Sequence, residues 1–229
     1  MSSFLKINQI GLVLRPFASS VKNVEKIVSD TIDTIKRASE LEVDGIPVFS
    51  RFDAVVPTAK RFPDYDCGET VPRLKEAIAS FPAAYVTPVK EGDLFGGVIR
   101  QAFFQQIKDG VNYSMCLSSG VRSYLTPANM RLMLKALEDG ALATGLAINE
   151  FADSIMEGRL LDTCDIWHLE SWMRAGGHSV RGDQPQLNDR IGWVSGGQGS
   201  NGSDEEWHYV SAGVEEMFPL INMVKLFGP

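Results

Sequence analysis

The stretch that most constrains the fold is Tyr113–Leu137, YSMCLSSGVRSYLTPANMRLMLKAL. Tyr113–Leu117 is an apolar run of strand length, and Ser118-Ser119-Gly120 breaks it. Thr126 and Pro127 then supply the N-cap and first-turn proline of a helix. Met130, Met133, Leu134 and Leu137 recur along one face of that helix. Strand, loop and helix in this order make half of a parallel crossover unit. In an open α/β sheet the loop beyond a strand's carboxyl end is where ligands bind.

The rest of the chain repeats the alternation. Ile7–Leu14 is nearly continuous apolar, as a strand covered on both faces would be. Ser19 or Ser20 caps a helix carrying Val24, Ile27, Val28, Ile32 and Ile35. Gly45 leads into a second strand at Ile46–Phe49. A charged, aromatic loop is expected from Ser50 to Gly68, with one extra strand at Ala54–Val56. Thr70 and Pro72 open a helix with Val71, Leu74, Ile78 and Phe81 on one side. Ala83–Val89 is a third strand. Gly96-Gly97 opens a helix that places Ile99, Ala102, Phe103 and Ile107 inward and stops at Gly110. After Leu137, Gly140–Asn149 reads as a strand, and Phe151–Leu161, Ile166–Arg174 and Val214–Phe227 read as helices. His178–Asp204 is polar and glycine-rich. The pattern predicts an α/β fold, a single domain with a mostly parallel sheet flanked by helices on both faces. Right-handed crossovers would bring Arg15–Ala18, Ser50–Asp53, Lys90–Gly97 and Ser118–Arg122 to one crevice.

Composition narrows the function classes. With 229 residues, 44% of them hydrophobic, the chain can bury a full core. Its net charge of −7 excludes the basic footprint of a general nucleic-acid binder but not a nucleotide pocket. No apolar run approaches the ~20 residues of a membrane span, and no basic head and apolar core mark a signal peptide. Cys67, Cys116 and Cys164 form no CxxC, so reduced thiols and a cytoplasmic setting are expected, with Cys116 buried. His168, His178 and His208 lack HExxH spacing, so no zinc site is read from them.

Three segments carry a likeness to a known family: LVLRPF with its proline turn, EGDLFGGVIRQAF with glycines opening a helix, and YSMCLSSGVRSYLTPANM. Their order over Ile7 to Leu137 resembles the family 2 glycosyltransferases of the GT-A fold, Rossmann-like nucleotide-diphospho-sugar transferases. The resemblance implies a UDP- or GDP-linked sugar donor, an acceptor it does not name, and Mn2+ or Mg2+ on the donor diphosphate. It divides the 1–229 domain into a nucleotide-binding part, 1–140, and an acceptor and lid part, 141–229. Family members usually carry Asp-x-Asp in the loop after the Tyr113 strand. Here Ser118, Ser119 and Gly120 stand there, and hydroxyls cannot neutralise a cation as carboxylates do. Three accounts stay open: a metal held elsewhere, Arg122 covering the diphosphate, or a protein that no longer transfers sugar.

The resemblance implies a nucleobase near Arg15-Pro16-Phe17, where an ordinary strand-end turn is the plainer reading. It makes Asp53, beside Arg51, an acceptor for a uracil N–H; a solvated ion pair is the plainer reading. Gly96-Gly97 with Arg100 would bring backbone N–H groups to an anion, although glycines also serve tight turns. Ser118, Ser119, Gly120 and Arg122 fall where the diphosphate would lie. Glu205, Glu215 and Glu216, with Asp204 and Glu206, form the reservoir for a carboxylate base that deprotonates an acceptor hydroxyl, against a solvated acidic face. Asp183 and Glu150 are weaker candidates for that role, and His208 is a possible metal ligand. Trp167 and Trp172 read as core. Trp193 and Trp207 could pack on a sugar ring, and Gly192–Ser203 could close as a lid. A sugar nucleotidyltransferase is a second reading, but it would want a glycine- and basic-rich loop where only Arg15 stands. A non-catalytic binding protein with this fold is a third.

Overall fold

The run IGLVLR forms the first strand, β1 (Ile10–Arg15), because its side chains can be covered on both faces at once. In the computed structural model, which describes residues 10–16, 24–57, 67–89, 95–118, 125–145, 165–175 and 226–227, β1 lies inside a six-stranded sheet. Helix α1 (Val24–Ser39) follows and buries Ile27, Thr31, Ile35 and Ala38. Strands β2 (Glu42–Val43) and β3 (Ile46–Pro47) form a small hairpin. Its turn residues Asp44 and Gly45 have φ of 54° and 77°, as a two-residue type I′ turn requires. Next come β4 (Phe49–Pro57) and α2 (Cys67–Ala77), which ends in a 3-10 turn at Ile78–Ser80. Then follow β5 (Ala84–Val89), α3 (Phe95–Lys108), β6 (Tyr113–Ser118) and α4 (Pro127–Glu138). The described chain closes the sheet with β7 (Ala143–Thr144) and β8 (Ile166–His168), which leads into α5 (Leu169–Arg174).

The sheet order is β5-β4-β1-β6-β8-β7. The β1–β4, β4–β5 and β1–β6 pairs are parallel, and β8 is antiparallel to both β6 and β7. The chain therefore steps outward from β1 through β4 to β5. It then crosses back over the sheet to place β6 on the other side of β1. That reversal puts the crossover helices on opposite faces, as a constant crossover hand demands. Side chains sort accordingly. Ile10, Leu12 and Leu14 pack with Ile35 of α1 and Met130, Met133, Leu134 and Leu137 of α4. Val13, Val55 and Cys116 pack on the other face with Ile99, Ala102 and Phe103 of α3 and Trp172 of α5. Phe103 and Trp172 meet edge to face, with ring centroids 5.0 Å apart. The predicted α/β fold, a mostly parallel sheet with helices on both faces, is the one observed.

Four boundaries differ from the sequence reading. The second long strand is Phe49–Pro57, not Ile46–Phe49, so Ser50–Asp53 lies inside a strand. Polarity hid it, since Arg51 and Asp53 fall on one face and neutralise each other, which permits burial. Ile166–His168 is strand, not the first turn of a helix, because pairing with β6 outweighs local helical spacing. Helix α2 begins at Cys67 and carries Pro72 inside it, not at its start. The strand expected over Gly140–Asn149 is Ala143–Thr144 among the described residues.

Candidate functional site

The parallel strands end on one edge. Arg15, the last residue of β1, is the register partner of Ser118, the last residue of β6. On the other side, Pro57 of β4 pairs with Val89 of β5. The strand order reverses between β1 and β6, the position in an open α/β sheet where ligands bind beyond the strand ends. Pro16, the first residue past β1, is buried. Helix α3 starts from the same edge, with Gly96 and Gly97 in its first turn. Its first-turn N–H groups and positive dipole end make that edge favourable for an anion. Helix α4 starts there too. Thr126 caps it, its hydroxyl accepting from the Asn129 N–H at 3.2 Å, and Pro127 takes the first turn, as the sequence indicates. Three of the four predicted loops thus leave from one edge.

The fourth, Ser50–Asp53, does not. Arg51 lies in the amino-terminal half of β4 and Asp53 at its midpoint, where Arg51 pairs with Gly11 and Asp53 with Val13 of β1. Asp53 is 1% exposed. Its carboxylate accepts from Arg51 Nε at 2.8 Å and Nη2 at 2.9 Å, and from Gln106 Nε2 of α3 at 2.6 Å. Arg51 Nη1 donates to Asp109, in the turn that ends α3, and the guanidinium lies 4.3 Å from the centroid of the Tyr85 ring. Burial works to lower the Arg51 pKa, but the hydrogen bonds and charges of Asp53 and then Asp109 raise it above its ordinary value. Asp109 is held below the usual carboxylate range by hydrogen bonds from Gln105 and from Arg51. A hollow of about 520 Å³, lined by Ser50, Arg51, Ala83, Tyr85, Asp109, Gly110 and Val111, opens over this cluster. It sits on the amino-terminal edge, opposite the edge where β1, β5 and β6 end. The pair expected to meet a nucleobase is instead the centre of a buried polar network below α3.

Sequence reasoning passed over three residues that the structure brings forward. Gly11 lies in β1 directly beneath Gln106; a Cβ there would sit 2.3 Å from Gln106 Oε1. Gln106 is fully buried and continues the inward stripe Ile99, Ala102, Phe103 of α3. The signals were legible: a glycine inside an apolar strand marks a close approach, and a glutamine at a core-facing helical position needs a partner. Asp165 is the third. It is 1% exposed, its backbone carbonyl accepts from Cys116 N–H at 3.2 Å, and its carboxylate accepts from Trp167 Nε1. It precedes the antiparallel β8 and so sits beside the carboxyl end of β6. No sequence spacing pointed to it.

The remaining candidates divide. Arg100, in the second turn of α3, places its guanidinium 5.1 Å from the Phe104 ring centroid. Cys116 is buried, and Trp167 and Trp172 are fully buried core residues, as read. His168 lies on the amino-terminal edge, with Nδ1 2.7 Å from Ser171 Oγ and its ring against Tyr113. Phe17, Ser119, Gly120, Arg122, Glu150, Asp183, Trp193, Asp204, Glu205, Glu206, Trp207, His208, Glu215 and Glu216 lie outside the described residues. Among the described residues no three His, Cys, Asp or Glu side chains group to hold a metal ion, and no helix is long and apolar enough to cross a membrane.

No protein-family model and no curated protein matches the sequence. Among solved structures, the chain is similar to a mannosyltransferase from Pyrobaculum calidifontis in complex with GDP-Man and Mn2+. Identity is 11% and the TM-score 0.49, over 75% of this chain and 48% of that one. It is also similar to a 4-diphosphocytidyl-2C-methyl-D-erythritol synthase from Anaerococcus prevotii, at 10% identity and a TM-score of 0.42, over 95% of this chain and 97% of that one. The chain spans about half the length of the mannosyltransferase. Both TM-scores fall below 0.5, so neither likeness bears on what this chain does.

Proposed function

We propose that the chain binds a nucleoside-diphosphate sugar, UDP- or GDP-linked, at the carboxyl edge of the sheet and transfers the sugar to an acceptor. The observation that carries this reading is the reversal of strand order between Arg15 and Ser118, with the glycine-bearing first turn of α3 on the same edge. In this proposal the turn at Arg15-Pro16-Phe17 frames the nucleobase. The first-turn N–H groups at Gly97, with Arg100, Ser118, Ser119, Gly120 and Arg122, face the diphosphate. The acceptor oxygen attacks the anomeric carbon as the bond to the diphosphate oxygen breaks. The nucleoside diphosphate leaves with that electron pair, and a carboxylate from Glu205, Glu215 or Glu216 takes the acceptor proton. The described residues do not supply a cation's ligand set, so no step here is routed through Mn2+ or Mg2+.

A second reading has a specific observation behind it. Ser118-Ser119-Gly120 brings no carboxylate to the loop beyond β6, which suits a nucleotide-binding protein without transfer activity. Isothermal titration with UDP and GDP, with and without Mn2+, tests the shared premise: heat of binding is expected, and its absence for all four conditions sinks both readings. Slow donor hydrolysis then separates the two. Turnover that is lost in Glu205→Ala, Glu215→Ala or Glu216→Ala supports transfer, and binding without turnover supports the non-catalytic protein.

A further inference from the structure

Helix α3 touches both edges of the sheet. Its first turn lies at the carboxyl edge, and its last turn lies over the Arg51–Asp53 cluster at the amino edge. The inward stripe Ile99, Ala102 and Phe103 is apolar, and apolar contacts tolerate small slides and rotations of a helix. Gln106 does not. Its amide fits a notch that exists only because residue 11 has no Cβ. Its Nε2 donates to Asp53 at 2.6 Å, while Asp53 is held from the other side by two nitrogens of Arg51. The carboxylate also fixes which way the amide faces, since Oε1 in place of Nε2 would set two acceptors against each other. The same guanidinium reaches past Asp53 to Asp109, just beyond the helix end. The contacts therefore set both the axial position of α3, through the notch, and its rotation, through Asp109.

Apolar side chains of similar volume could stabilise this interface as well as buried charges do. What a hydrogen-bonded network adds is one permitted arrangement. We propose that Gln106, seated over Gly11 and held by Asp53 and Arg51, is a positioning residue that fixes the register of α3 on the sheet and thereby the place of its first turn. Gly97 and Gln106 are joined by a rigid helical rise of about 14 Å, so a slip at one end is delivered to the other. The consequence for ligand binding rests on the nucleotide-binding reading above; the consequence for α3 does not.

The test compares wild type with Gln106→Met, which keeps length and apolar packing but loses the donor, and with Asp109→Ala, an exposed change that frees the helix end. Hydrogen exchange is read separately for Ile99–Phe104, whose amides close the first two turns of α3, and for β1 and β4. UDP affinity is measured alongside. In Gln106→Met, exchange across Ile99–Phe104 is expected to quicken about tenfold with β1 and β4 unchanged, and Asp109→Ala should follow with a smaller local effect. UDP affinity should fall by about tenfold or more, as small misplacements of a binding group do. Equal exchange in wild type and variants, or exchange that quickens evenly through α3, β1 and β4, overturns the proposal and leaves Gln106 an ordinary packing residue. If wild type binds neither UDP nor GDP while the local exchange effect appears, the register role stands and the nucleotide reading fails.

Discussion

Replacing Gly11 by alanine puts the notch under α3 to a quantitative test. The φ of Gly11 lies outside the left-handed region, so alanine fits the backbone. The side chain does not fit. Its Cβ would lie 2.3, 2.5 and 2.6 Å from Oε1, Cδ and Nε2 of Gln106. The amide must move by more than an ångström to reach ordinary contact, and it is fully buried, with strand and helix on either side. Overpacking of this kind costs about 1–3 kcal/mol. The displaced amide also gives up its hydrogen bond to the Asp53 carboxylate, a further ~1.5–3 kcal/mol for a bond to a charged group. Against this, alanine lowers the entropy of the unfolded chain and returns roughly 0.4–1 kcal/mol. The net expectation is a loss of about 2–5 kcal/mol. Urea unfolding measures it as a fall in midpoint at unchanged slope. The decisive arm is the cycle with Gln106→Ala. Once the long side chain is gone, Gly11→Ala should cost little or even stabilise. An equal cost in both backgrounds would show that the penalty does not arise at Gln106 and would refute the reasoning.

Two further outcomes follow from local geometry. Thr126→Ala removes the hydroxyl that accepts from Asn129 N–H at the start of α4 and should lower stability by about 1 kcal/mol in the same urea experiment, whereas Thr126→Ser should retain most of it. His168 is held below its ordinary pKa of 6.5 by burial, opposed by the charge of Glu170. The unfolded chain therefore binds the proton more readily, and this group's contribution to stability is full above pH 6.5 and declines as pH falls through that value toward the depressed one. In His168→Gln the slope of stability between pH 7 and pH 5 should flatten. Asp109, whose pKa is depressed, keeps its contribution above the usual carboxylate range and loses it as pH falls through and below that range, so its loss begins at lower pH than that of His168.

Local residue pattern is enough to give the alternation of strand and helix. Apolar runs at strand length and apolar residues at helical spacing have to be covered, and covering them in this order leaves a parallel sheet with helices on both sides. The start of α4 was legible to the residue, because N-capping by Thr126 and a first-turn proline are local chemistry that no distant contact needs to supply. The ends of β1 and β6 and the glycine-opened start of α3 were legible for the same reason, and with them the edge from which their loops leave the sheet. Where charge can be buried depends instead on how the elements pack. Arg51 and Asp53 look like a solvated loop until β1 and α3 close over them. The donor that completes the Asp53 carboxylate, Gln106, lies 53 residues further along the chain. Gly11, Gln106 and Asp53 become one arrangement only when the sheet order has placed β4 beside β1 and α3 across both. Asp165 beside the end of β6, and the strand hidden at Ile166–His168, depend on pairing across the sheet in the same way. Local periodicity sees which faces are apolar. It does not see which polar groups will meet beneath them, because their partners are chosen by topology and not by neighbours in sequence.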